Sequence, residues 1–166
     1  MNKLLRNTNL LFLVLMIFAF SSCSKDDEIN ADDIIGEWTI SSSSMNMTID
    51  GVDVIQFLKN EFELTQAEAE EMYNDYFFYE ITGTCEFKND GTYNSNIEGE
   101  IDNGTWEING NKLTMDKDDP DEMIMDINTL TSSKLVVTST ETDVQDIDQD
   151  DTDETMVSKM QITFTK

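Results

Sequence analysis

The sequence has no histidine, two cysteines, and ten basic residues against 35 acidic ones in 166. Without histidine, the Ser-His-Asp and Cys-His arrangements are excluded, together with every His-containing zinc site. Carboxylate chemistry is what remains. No recognisable nucleophile–base pair and no Gly-rich phosphate loop accompanies it, so an enzyme is not expected. The shortage of bases leaves a formal net charge of −25. Residues 1–22 hold Lys3 and Arg6 and no acid, so the rest of the chain is more acidic still. Such a surface repels nucleic acid and anionic membranes, and neither is expected as a partner. Solvated surface is the first explanation for so much acid, because like charge keeps a protein soluble at high local density. Divalent cations or a basic partner are the alternatives.

Residues 1–22 read as a signal peptide. Lys3 and Arg6 form a positive n-region, Leu10 to Phe20 an apolar h-region, and Ser21 and Ser22 are small residues before a cut. The apolar run is too short to span a hydrocarbon core as a helix, which takes about 20 residues. The stretch Phe20-Ser21-Ser22-Cys23 resembles a lipobox, the site at which a diacylglyceryl group is added to Cys and the signal removed just before it. Phe20 stands where Leu is usual, a departure that the looser lipoboxes of Bacteroidetes-type lipoproteins tolerate. The other reading is an ordinary cut beside an incidental cysteine. The residues that follow, Ser24, Lys25, Asp26 and Asp27, resemble the Bacteroidetes-type lipoprotein export signal. That resemblance implies an outer-membrane location facing the cell exterior, with the membrane contacted through the lipid alone. The plainer alternative is an acidic tether. In either case residues 23–33 are polar enough to act as a linker. With Cys23 lipidated, Cys85 has no partner. A disulfide framework is then excluded, and Cys85 is expected to act as a small buried hydrophobe.

The folded domain is expected over 34–166. Ile34 to Ile40 reads as a strand with Trp38 and Ile40 on one parity. After Ser41 to Ser44 the parity switches to Met45, Met47 and Ile49, which requires a bulge or break at the serines. Residues 50–79 read as a helical insertion: Asp53 is a candidate N-cap, and Thr65-Gln66-Ala67-Glu68 is a capping box. Ala69, Met72, Tyr73, Tyr76 and Phe77 follow helical spacing. From 79 onward short strands alternate with turn signals at Asn89-Asp90-Gly91, Asn103-Gly104, Asn109-Gly110 and Asp118-Asp119-Pro120. The last strand places Met156, Met160, Ile162 and Phe164 on one face. About eight strands at this spacing predict a mainly β protein, an antiparallel meander closed as a barrel, with a two-helix insertion after the first strand.

The order of motifs resembles the small lipocalin-like domains common in Bacteroidetes lipoproteins. They are Gly36-Glu37-Trp38, Phe87 to Tyr93, Gly104-Thr105-Trp106, Asn111-Lys112-Leu113 and Lys134 to Val137. The insertion 50–79 and the acidic loop 141–155 depart from that pattern. The resemblance implies a barrel able to hold a small apolar ligand, with Trp38 plugging the closed end. It implies no particular activity, since fold does not fix function.

Candidate pocket residues are Met115, Met123, Met125 and Met160 on the inward parity, with Trp38, and with Tyr73 and Phe77 if the helices cap the mouth. Methionine adapts to irregular partners and suits a permissive apolar pocket. Plain core packing explains the same pattern, and the helices are equally consistent with packing outside the sheet. A barrel of this size can be filled or left open for one ligand. The expected function is noncatalytic binding of a small apolar or amphipathic molecule. The alternative is a protein-interaction or envelope-assembly module with a filled core. In the acidic loop, Asp146, Asp148 and Asp150 match the first ligand positions of a calcium loop. Asp151 stands where Gly is needed and Val157 where Glu is needed, so the EF-hand pattern fails. No cofactor is expected; a weak calcium site is the alternative to a solvated hairpin.

Overall fold

A computed structural model describes residues 29–77, 80–148 and 151–166. The leader, Cys23 and the Ser24, Lys25, Asp26 and Asp27 segment lie outside the described residues, as does Asp150. A short 3-10 helix, Ala31–Ile34, comes first, capped by the Asn30 side chain, which accepts from the Asp32 N–H. There follow β1 (Gly36–Ile49), β2 (Val52–Asp53), α1 (Val54–Glu61), α2 (Gln66–Tyr76), β3 (Gly83–Phe87) and β4 (Thr92–Ile97). The chain continues through β5 (Glu100–Asn109), β6 (Lys112–Met115), β7 (Met123–Leu130), β8 (Lys134–Gln145) and β9 (Glu154–Thr165).

From β3 to β9 each strand pairs antiparallel with its successor; β1 pairs with both β3 and β9 and so closes the barrel. The two-residue β2 only extends the end of β1. The architecture is the antiparallel meander barrel with two inserted helices that the sequence predicts. β1 closes it by dividing its partners: Gly36–Thr39 bond to β3, and Thr39–Ile49 to β9. A register shift between Ile40 and Ser42 marks the changeover. It lies at the serines, where the apolar parity switches, and it turns Met45, Met47 and Ile49 to the same face as Trp38.

The core has two parts. The larger fills the barrel around Trp38, Phe87, Leu113, Leu135 and Phe164. One end of it is closed by Trp38, whose indole Nε1 donates to the Ile34 carbonyl at 2.6 Å. The Lys166 ammonium lies 4.2 Å from the Trp38 ring and donates to the carbonyls of Asp33 and Ile35. With the lysine exposed, the cation over the indole contributes about 0.5–1 kcal/mol. Trp106 is structural as well: its Nε1 donates to the carbonyls of Lys88 and Thr92, holding the β3–β4 turn.

The second part joins the helices to the far half of β1. Asp53 caps α1, accepting from the N–H groups of Ile55 and Gln56. Thr65 and Glu68 form the expected capping box on α2, each accepting from the other's backbone N–H. The helices press Val54, Phe57, Leu58 and Ala69 onto Met47 and Ile49. These two share the inward parity of β1 with Met45, so the helices cover the same face as the barrel interior, further along the strands.

Two local expectations change. Asn103-Gly104 is not a turn: β5 runs through it, and the chain reverses at Glu98-Gly99, both with positive φ. Two successive positive φ values are what a tight hairpin turn needs. The acidic hairpin is also shorter than 141–155. β8 continues to Gln145, paired to Glu154 at the start of β9. Thr140 to Gln145 is polar apart from an exposed Val144 and carries no period-2 signal; pairing with β9 makes it a strand.

Candidate ligand cavity

Beyond the Trp38 end, the barrel interior holds a cavity of about 690 Å³. That is within the range of small-molecule sites. Its apolar wall comes from Met45 on β1, Cys85 and Phe87 on β3, Leu113 and Met115 on β6, Met123 and Met125 on β7, and Met160, Ile162 and Phe164 on β9. Alternation puts these side chains inward, because successive residues of a strand point to opposite faces. The wall grades from buried to open. Leu113, Met125, Phe87 and Phe164 are buried, whereas Met123 is 48% exposed. Ser95, Ser139 and Ser158 add hydroxyls, and Asp102, Asp116, Asp121 and Glu141 add carboxylates.

The four methionines expected at a pocket, Met115, Met123, Met125 and Met160, meet on this wall. Met45 joins them; the parity switch after the serines places it there. Three expected pocket residues lie elsewhere. Trp38 is fully buried in the plug below the cavity, held by the Ile34 carbonyl and Lys166. Tyr73 and Phe77 stack on each other at 6.3 Å and pack in the helical cluster, not on the cavity wall. The cause is the edge of β1 opposite β9, which β3 leaves unpaired after Thr39. The Tyr73 hydroxyl donates to the Met45 carbonyl on β1 at 3.0 Å, and the Ile81 N–H donates to the Ser43 hydroxyl nearby. Helix α2 therefore docks against the strand edge by its tyrosine.

One polar group on the wall has no obvious sequence signature. The Tyr93 hydroxyl lies 2.7 Å from an oxygen of Asp102 and 2.5 Å from one of Asp116. Burial, followed by these two hydrogen bonds, pushes the Tyr93 phenol well above its usual range. Asp116 reaches this position from a left-handed backbone, φ 52°, and its other oxygen accepts from the Thr105 N–H. Gly104 makes the space. A Cβ there would lie 1.8 Å from an Asp116 carboxylate oxygen. The only hint in the sequence is a glycine inside a strand, which marks a close approach as readily as a turn.

Cys85 is buried on the wall, and burial, with lesser effects from Asp102 and Glu86, pushes its thiol up to about 12. It stays protonated at neutral pH and is a small hydrophobe there.

In the β8–β9 hairpin, carboxylate oxygens of Asp146, Asp148 and Glu154 lie within 4.8 Å of one another. The expected trio named Asp150, which lies outside the described residues; Glu154, at the start of β9 opposite Gln145, is the third carboxylate of this group. An all-oxygen donor set is the chemistry of calcium or magnesium. Glu154 is buried and accepts from the Ile147 N–H at 2.7 Å, and Asp146 accepts from the Asp151 N–H. Backbone donors thus take part of the negative charge already.

One protein-family profile, described as a lipocalin-like domain, matches residues 34–137. A comparison with curated proteins finds no match.

Proposed function

The chain belongs to the lipocalin-like domain family, and from that premise we propose that it is a lipid-anchored cell-surface lipoprotein whose barrel binds a small apolar or amphipathic molecule without catalysis. The cavity carries this reading. An eight-stranded barrel with a filled interior would leave no room for a ligand; this one keeps about 690 Å³ behind a methionine-rich wall. Unbranched thioether side chains adjust to ligand shape at little cost. The protonated Cys85 and the absence of histidine support binding without chemistry.

The test is titration with a neutral apolar fluorophore such as 1-anilinonaphthalene. Saturable one-to-one binding is expected, lost in Ser158→Trp, whose indole would occupy the cavity. Equal binding by a folded Ser158→Trp protein refutes the cavity as the site.

The anchor rests on Cys23 and the signal-like residues before it, and the outward orientation on Lys25, Asp26 and Asp27. Cys23→Ala should release the protein from the membrane fraction. Replacing Lys25, Asp26 and Asp27 with Ala should keep the lipid but abolish protease accessibility on intact cells. Membrane retention in the first variant, or accessibility in the second, overturns the corresponding half.

A further inference from the structure

The cavity has a charge pattern as well as a volume. Its deep wall is apolar, formed by residues such as Leu113, Met125 and Phe164. Its charged lining groups are all carboxylates: Asp102 from β5, Asp116 and Asp121 from the β6–β7 connection, and Glu141 from β8. Among the described residues no lysine or arginine lines it. Asp102, Asp121 and Glu141 are exposed, so the acids form a rim around the open side.

The Tyr93 site sharpens this. Tyr93 is buried and its hydroxyl touches two carboxylates, but a phenol has one hydrogen and donates to one acceptor at a time. One close carboxylate oxygen therefore faces an oxygen lone pair. Positive charge beside it would be favourable, and a second negative charge would not.

We propose that the cavity selects a cationic amphiphile, with an apolar chain in the methionine-lined interior and a protonated amine or quaternary ammonium at the rim formed by Asp102, Asp116, Asp121 and Glu141. This rests on the ligand-binding reading of the same cavity and adds the ligand's charge to it. A fatty acid of equal length has the same fit inside and the wrong sign at the rim. A quaternary or primary ammonium needs no dedicated partner beyond the carboxylates, and serine hydroxyls at 139 and 158 can accept from a primary one.

The rim acts at partly exposed positions, where each charge contact is modest. A few together correspond to about tenfold in affinity, about 1.4 kcal/mol. Calorimetric titration of the full protein with decylammonium, decanol and decanoate, below their micelle concentrations, reads this directly. Decylammonium should bind about tenfold tighter than decanol, with decanoate weakest, and salt should narrow the difference. The rim variant Asp102→Asn/Glu141→Gln should reduce the preference for decylammonium over decanol about threefold, because Asp116 and Asp121 keep the rest of the rim charged. Decanol binding also reports that the variant is folded; should it not fold, Asp121→Asn alone carries the same expectation with a smaller effect. A remote control, Glu70→Gln/Glu71→Gln on α2, removes equal charge and should leave the preference intact. If decanol binds but decylammonium is no tighter, the inference fails and the cavity reading stands. An equal loss in rim and remote variants means bulk surface charge is responsible, which also overturns it. If none of the three ligands binds, the cavity reading itself falls.

Discussion

Replacing Gly104 with Ala tests whether the Tyr93 site is built on a missing side chain. The new Cβ would lie 1.8 Å from Oδ1 and 2.6 Å from Cγ of Asp116, so the carboxylate must leave. It would give up its bonds from the Thr105 N–H, at 2.9 Å, and from the Tyr93 hydroxyl, at 2.5 Å. Hydrogen bonds to charged groups contribute about 1.5–3 kcal/mol each. Asp102 keeps the Tyr93 hydroxyl satisfied, and Thr105 is exposed, so water recovers part of the loss. A net cost of about 2 kcal/mol follows, or about 4–8 °C in Tm for a chain of this size. The decisive comparison uses Asp116→Gly, which removes the carboxylate and suits the φ of 52° at that position. In that background Gly104→Ala meets no carboxylate. Gly104 itself is not in the left-handed region, so alanine there should be neutral or stabilising by about 0.4–1 kcal/mol through the unfolded chain. Urea unfolding of the four proteins gives the cycle. An equal cost of Gly104→Ala in both backgrounds would refute the steric argument, because neighbours that do not interact are additive.

Trp38→Phe should destabilise the protein by about 1–3 kcal/mol in urea unfolding, because the buried Ile34 carbonyl loses its indole donor; a loss below 0.5 kcal/mol would show that the plug does not depend on that bond. Cys85 gives a pH signature. Burial raises its folded pKa to about 12, above the ordinary thiol value of about 9, so its contribution is complete below pH 9 and declines as pH rises through 12, at up to about 1.4 kcal/mol per pH unit. Cys85→Val should flatten that part of the stability profile, measured by urea unfolding across pH 8–11; an unchanged slope would place the titration elsewhere. Thr65→Ala removes one side of the α2 capping box and should cost about 1 kcal/mol without changing fluorophore affinity, since the cap lies away from the cavity wall; a loss of binding with the fold intact would show that α2 helps form the site.

Much of the barrel was legible because it depends on local rules. Period-2 alternation after residue 80 set which side chains face inward, and so gathered Met115, Met123, Met125 and Met160 on one wall. The capping box at Thr65 and Glu68 is a contact within one helical turn and is as visible in sequence as in space. The Gly104 misreading shows the opposite case. Asn-Gly is a turn signal by composition, but the glycine answers to Asp116, twelve residues away on another connection. For Tyr73 on α2 and Phe77 at its C-cap, helical spacing does not choose between capping the barrel and packing outside it, because the docking point, the unpaired edge of β1 after Thr39, exists only once β3 and β9 have divided that strand.

The sequence by itself determined the meander order, the inward face of most strands, the bulge at the serines, the excess of negative charge and the lack of a histidine-based site. All of these follow from covalent order, side-chain period and composition. Tertiary structure alone decided that the interior stays partly open, that Lys166 lies over the Trp38 plug, and that the cavity's charged groups are acids gathered on one rim. The reason is that cavity volume is the small remainder when large inward side chains fail to fill a closed barrel. That remainder depends on how β1 is shared between two neighbours, which no local pattern encodes.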